Sequence, residues 1–206
     1  NGAARLMISL EVLLAYKRSP VIGNDLVRLR AAQLTDYGAW ARLRESSRAH
    51  LTRWEPDWTE KDATIDAFRR RIRIQERLRR AGSALALLAF CRDDDELVGG
   101  VALSDIRLHA SRSAMIGYWT GEAHLRKGFA SASVGLMLDY AFNELALNRV
   151  EAACQPDNAA SRNLLHKTGF REEGVARDFL HINGKWRDHI LFAATARDYC
   201  GAPPPI

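Results

Sequence analysis

Apolar residues alternate with polar ones in some stretches of the chain and recur every three or four residues in others. The switches between these two periods lay out a series of elements. Leu26-Val27-Arg28-Leu29-Arg30 alternates and reads as a strand. Thr35 or Asp36 can cap a helix running to about Arg48. The proline in Trp54-Glu55-Pro56-Asp57-Trp58 breaks the chain into an aromatic, acidic loop. From Asp62, as cap, a long helix is predicted through about Arg80, with Ile65, Phe68 and Ile72 on one face. Ala84–Cys91 is apolar throughout and reads as a buried strand, followed by an acidic turn at Arg92–Asp95 and a returning strand Leu97–Leu103. Ser113–Thr120 is a further strand, Phe129–Glu144 a helix opened by Gly128, Arg149–Gln155 a buried strand and Ala159–Lys167 a short helix. Val175–His181 and Trp186–Ala194 flank Asn183-Gly184, the strongest hairpin signal in the chain.

This order predicts an α/β (α+β) domain: a mixed, mostly antiparallel sheet of about seven strands with helices on both faces. Strands joined by tight turns are antiparallel neighbours, while 113–120, the helix after it and 149–155 form a parallel βαβ unit. No repeat or Gly/Ser linker divides the 206 residues, which suits one domain at 24–200, with an N-terminal extension over 1–23 and a loose tail at 201–206. The segment Met7–Ala15, interrupted by Glu11, reads as neither signal peptide nor anchor. The longest apolar run is far short of the ~20 residues a spanning helix needs, so no membrane partner is expected. Cys91, Cys154 and Cys200 are widely spaced, with no paired-cysteine or zinc-type cluster. A reducing, cytoplasmic setting and no metal follow as expectations.

Charge sharpens one element. The net charge is +5, and residues 61–80 hold eight basic residues against three acidic ones, which accounts for all of it. The chain is therefore not generally basic. One helix carries the excess, either as a solvated face or as a docking surface for an anionic partner.

The chemistry concentrates in two later segments. Leu125-Arg126-Lys127-Gly128-Phe129-Ala130-Ser131 joins a strand to a helix whose first turn has small residues. Uncovered N–H groups at such a helix start, with the positive end of the helix dipole, attract phosphate. By itself the segment is equally a turn with two solvated cations; it is neither a P-loop nor a dinucleotide fingerprint. Farther on, Asn158 can cap the helix that Gly169 ends.

Taken together and in this order, the two segments resemble the GNAT acetyltransferase superfamily. Arg126, Lys127, Gly128 and Ala130 follow its pyrophosphate loop, with Leu125 standing where glutamine or arginine is usual. Asn158, Ser161 and Gly169-Phe170 follow its second signature. Leu51-Thr52-Arg53-Trp54-Glu55-Pro56 and the closing hairpin look like the RimJ/RimL group, which contains N-terminal alanine acetyltransferases of ribosomal proteins and many enzymes with unassigned amine substrates.

The resemblance implies a GNAT fold with a central splayed strand pair, acetyl-CoA as acetyl donor and an amine as acceptor. It implies direct transfer through a ternary complex. Arg126, Lys127, Gly128, Phe129, Ala130 and Ser131 would hold the pyrophosphate. Tyr118, Trp119 and Thr120 would line the pantetheine arm, a backbone N–H near Trp119 or Thr120 polarising the thioester carbonyl. Asn158 would bond the arm and Ser161 would serve the leaving thiolate. Some relatives place a glutamate where Leu180 stands here, so Asp178, two residues earlier, and Glu55 are the candidate bases. Gly117, inside a strand, suggests close backbone approach or a bulge. The expected acceptor is a protein N-terminus, with ribosome docking through helix 61–80 and a homodimer as further expectations. A small amine such as an aminoglycoside, polyamine or amino acid is the rival acceptor. A non-catalytic acyl-CoA or RNA-binding module is the rival from another class.

Overall fold

The computed structural model describes residues 14–200 apart from 16, 57 and 109. Most of the proposed extension, the tail at 201–206, Asp57 and the Cys200 side chain lie outside the described residues. One sheet organises the chain. Its strands are β1 (Ile22–Gly23), β2 (Val27–Arg30), β3 (Leu85–Cys91), β4 (Leu97–Arg107), β5 (Ser113–Thr120), β6 (Arg149–Cys154), β7 (Arg171–Ile182) and β8 (Lys185–Thr195). They lie in the order β1-β2-β3-β4-β5-β6-β8-β7, antiparallel throughout except for β5 and β6. The eighth strand, β1, is a two-residue edge strand too short to leave a periodic signal.

Alternation along β3 explains why the sheet is covered on both faces. Leu85, Leu87, Ala89 and Cys91 enter one core, shared with Val134, Met137 and Leu138 of α4 (Phe129–Asp139). Leu88 and Phe90 point the other way, onto Trp40 of α1 (Tyr37–Ser46) and Phe68 of α3 (Ile65–Arg80). A strand buried on both sides must be apolar at every position, which is how Ala84–Cys91 reads. Phe68 is 1% exposed, and sealing such a ring from water contributes roughly 1.5–3 kcal/mol.

Several boundaries differ from the sequence expectation. The cap of α3 is Thr64, whose Oγ1 accepts the Ala67 N–H at 3.3 Å, and not Asp62. Asp62 instead closes the preceding 3-10 turn, accepting the Thr59 N–H at 2.8 Å. The helix expected to reach Arg48 stops at Ser46, and α2 (Arg48–Leu51) follows, because Ser47 leaves helical geometry. Ser47 is buried, and its hydroxyl accepts the Glu122 N–H instead. Beyond Asp139 the α-helical turns of α4 widen into a π-type turn, Tyr140–Glu144. Between β6 and β7, α5 (Ala159–Lys167) ends at Gly169, which has the left-handed backbone expected there (φ +91°). The hairpin turn behaves as its sequence requires: Asn183 and Gly184 both have positive φ, 51° and 73°.

Candidate active site

Pairing between β5 and β6 fails early. Ser113, Ala114 and Met115 face Arg149, Val150 and Glu151, and no pair follows, although β5 runs on to Thr120 and β6 to Cys154. The two strands splay, as the resemblance implies. Each therefore presents an edge of backbone N–H and C=O groups without a strand partner, which a bound amide chain can satisfy. The far side of β5 stays paired with β4 from Met115 to Thr120, so the splayed edge is held on a paired support.

At the end of β5 the chain turns through Glu122–His124 and enters α4. Arg126 and Gly128 both take positive φ, 62° and 86°, and Gly128 is the N-cap with no side-chain bond. The turn leaves the N–H groups of the first helical turn, at Phe129, Ala130 and Ser131, without the carbonyl partners that later residues have. Arg126 and Lys127 are exposed beside them. This donor set suits a pyrophosphate: uncovered N–H groups, a positive helix end and two cations.

The walls of the splay carry Tyr118, Cys154 and Ser161. Tyr118 Oη and Ser161 Oγ lie 2.7 Å apart. Burial pushes the Tyr118 phenol up to about 12, against a smaller pull from the Ser161 bond. Burial likewise raises the Cys154 thiol, again with Ser161 working against it. Asn158 caps α5 by accepting the Ser161 N–H on Oδ1 at 3.1 Å, which leaves its amide NH2 free to donate.

On the α1–α3 face of β5 lies a cavity of about 270 Å³. Gly117, Tyr118 and Trp119 line its floor, and Trp40, Phe68, Glu55 and Arg71 its walls. A Cβ added at Gly117 would meet nothing within 4 Å, so this glycine keeps the cavity open, and its regular pairing with Ala102 shows no bulge there. Close approach occurs instead at Gly100 on β4, where a Cβ would stand 2.7 Å from Trp119 Nε1. Glu55 is half-buried and paired with Arg44, and its Oε1 is buried without a well-aligned hydrogen bond. Arg71 lies over the Trp40 ring at 5.6 Å, and no carboxylate among the described residues is in salt-bridge contact with it. Burial first, and the Arg44 charge second, push its guanidinium below the usual value.

Two contacts tie the loop after α2 to the other side of the cleft. The Asn183 amide donates to the Thr52 carbonyl, and Gln155 Nε2 donates to Arg53 O at 3.4 Å. The Arg44 and Arg48 guanidinium groups lie over the Trp58 ring, at 4.7 and 4.0 Å, and Trp58 is not part of the cavity lining.

The structure thus brings Glu55, Tyr118, Trp119, Asn158 and Ser161 around one stretch of β5. It does not bring Asp178 there. A bulge between Ala176 and Leu180 disturbs the alternation that put Asp178 on the same face as Leu180. Asp178 is exposed with φ 48°, its N–H held by Asp188 Oδ1 at 2.9 Å. Sequence reading missed Arg44, Arg71 and Gly100. The paired glycines Gly99-Gly100 inside an apolar strand were the available signal. Among the described residues no group of three or more His, Cys, Asp or Glu is placed to hold a metal.

With this geometry in place, comparison with known proteins identifies the class. The family described as Acetyltransferase (GNAT) domain matches residues 27–171. The "Probable N-acetyltransferase YjcK" of Bacillus subtilis is 36% identical over 174 residues, covering 84% of this chain and 96% of that protein. The [Ribosomal protein uS5]-alanine N-acetyltransferase of Escherichia coli is 29% identical over 174 residues, covering 84% and 90%. Among solved structures, Mycobacterium smegmatis RimJ in complex with CoA-disulfide superposes with a TM-score of 0.79 at 34% identity, covering 83% of this chain and 82% of that one. The chain belongs to the GNAT family and is an acetyl-CoA-dependent N-acetyltransferase.

Proposed function

We propose that the acceptor is the N-terminal α-amine of a protein, a ribosomal protein in the first instance, acetylated directly within a ternary complex. The observation that carries this reading is the cavity on β5. It has one carboxylate, Glu55, a small open floor at Gly117, and a wall at Arg71 and Gln75 that leads onto the exposed face of α3. A small first residue fits the floor, its amine meets Glu55, and the rest of the chain leaves past Arg71. The acceptors named for the uS5-alanine relatives point the same way.

An α-amine has a pKa of about 7.7–8.0, against about 10.4 for lysine, so a useful fraction is neutral near pH 7. Glu55 need only attract the amine and accept its proton, directly or through water. In the same reading the first turn of α4, with Arg126 and Lys127, holds the pyrophosphate. Asn158 donates to the pantetheine arm, a backbone N–H at Trp119 or Thr120 polarises the carbonyl, and Ser161 faces the departing sulfur.

The exposed face of α3 serves docking. Asp66 pairs with Arg69, and Glu76 with Arg79 and Arg80. Arg70, Arg73 and Arg77 have no such partner among the described residues, and they line an open groove with Ile74. Their spacing puts them on one helix face, next to the mouth of the acceptor cavity, where ribosomal RNA phosphates would meet them.

The test is incubation with acetyl-CoA and a panel of N-terminal peptides, read by thiol release and by mass spectrometry of the modified amine. Acetylation at the α-amine of peptides with a small first residue is expected. Release of thiol only with small amines such as polyamines, aminoglycosides or free amino acids would overturn the acceptor assignment.

A further inference from the structure

The hydroxyl pair at the splay has a direction that its chemistry sets. Tyr118 is on β5, one residue after Gly117, and its hydroxyl reaches Ser161 on α5. Ser161 is in the first turn of α5, three residues after its cap. At 2.7 Å the two oxygens share one proton between them, and either could donate. Even raised by burial to about 12, a phenol is a better donor than an aliphatic hydroxyl. The favoured arrangement has Tyr118 O–H donating to Ser161 Oγ, so the serine's own proton points elsewhere. The Cys154 thiol at the end of β6 feels the same hydroxyl, which works against the rise that burial gives it.

We propose that Tyr118 is a positioning residue for the acetyl transfer. By donating to Ser161 Oγ it turns the serine proton toward the sulfur of CoA, so that a two-link hydrogen-bond chain meets the thiolate as it leaves. The inference rests on the assigned use of acetyl-CoA and not on the identity of the acceptor. As the C–S bond breaks, its electron pair stays on sulfur and the new C–N bond forms. The proton lost by the amine nitrogen balances the one that finally reaches sulfur. A serine alkoxide is not required, because an aliphatic hydroxyl is a much weaker acid than a thiol. Ser161 therefore stabilises charge by donating a hydrogen bond, and Tyr118 strengthens that donation by polarising it.

Among the described residues the groups around this point are Cys154, Arg162, Glu172 and His166, whose Nε2 lies 3.9 Å from Glu172 Oε2. Cys154 comes from β6. Arg162 on α5 and Glu172 on β7 are paired with each other at 3.4 Å and act on the Cys154 thiol with opposite signs. Neither charge belongs to the Tyr118–Ser161 chain, so substitutions in that chain leave them in place.

The experiment titrates the thiol of CoA bound to the enzyme, by ultraviolet absorbance of the thiolate. Enzyme bound to desulfo-CoA serves as the blank for the protein's own cysteines. Wild type, Tyr118→Phe and Ser161→Ala are compared, with CoA affinity measured in parallel. The expected result is a bound thiol more acidic than free CoA. Both variants should shift it back by about tenfold in proton affinity, read at CoA saturation for each protein. An unchanged thiol titration in Tyr118→Phe would overturn the proposal, and so would one in Ser161→Ala, which keeps the phenol and is the milder change to packing. Because no acceptor is present, failure to acetylate peptides would count against the proposed acceptor without altering this result.

Discussion

Arg44 Nη1 stands 2.9 Å from Glu55 Oε1, and the same guanidinium lies over the rings of Trp58 at 4.7 Å and Trp119 at 5.1 Å. One buried cation on α1 thus joins the acidic loop to the floor of the acceptor cavity. Trp119 is fixed from its other side by the missing side chain of Gly100. The position of the Glu55 carboxylate and the path of β5 beyond Gly117 therefore depend on each other.

Glu55→Gln should lower kcat/KM for the acceptor about tenfold or more while leaving the KM for acetyl-CoA unchanged, since Glu55 lines the acceptor cavity and not the splay. Steady-state kinetics with each substrate varied in turn separates the two. Arg44→Met should additionally destabilise the protein by about 1–3 kcal/mol, because it leaves the half-buried Glu55 without its partner. Denaturant unfolding measures that difference.

The glycines of β4 and β5 should respond in opposite ways. Gly117→Ala places a methyl in open space, so stability should be kept and acceptor KM should rise as the cavity fills. Gly100→Ala forces its methyl onto the Trp119 indole and, at 3.2 Å, close to Leu87 O. Thermal unfolding at a lower temperature, with reduced kcat, is expected for Gly100→Ala alone.

Reversing the charges of Arg70, Arg73 and Arg77 together to glutamate should slow acetylation of ribosomal particles but not of free peptide. The wild-type rate on particles should fall with added salt as phosphate contacts are screened. Equal loss on particles and on peptide would remove the docking role from α3.

Much of this was legible in the chain because the responsible signals are local. The helix start at Gly128, the helix end at Gly169, the Asn183-Gly184 turn and the two-sided burial of β3 each leave a mark within a few residues. The cap of α3 was misplaced because Thr59–Thr64 holds two overlapping capping patterns, and Asp62 closes the 3-10 turn while Thr64 opens the helix. Asp178 was expected on the cleft face from strict alternation, and the bulge between Ala176 and Leu180 broke that period. Arg44 and Arg71 gave no signal because their significance lies in what they pack against: Trp58, Trp119 and Trp40 come from elements distant in sequence.

The last turn of α3 should carry a pH signature. Bonds from Arg79, and then Arg80, hold the Glu76 carboxyl down to about 2. Its folded pKa lies below the unfolded value of about 4.5, so the stabilisation is complete above that pH and is lost as pH falls toward 2. The pair is solvent-screened, so Glu76→Gln should cost no more than ~1 kcal/mol near pH 7. The gap between wild type and variant should close on acidification through that window, as followed by denaturant unfolding at several pH values.

The central claim is that the cavity beside β5 receives a protein N-terminus. Its most direct test is kcat/KM with acetyl-CoA, compared between a peptide with a free N-terminal alanine, the same peptide with its α-amine blocked and one internal lysine, and free small amines. A preference for the free α-amine of at least about tenfold over both alternatives is expected, given the lower pKa of that amine and the cavity's opening toward α3. Equal or faster transfer to a small amine, with the peptide a poor acceptor, would contradict it.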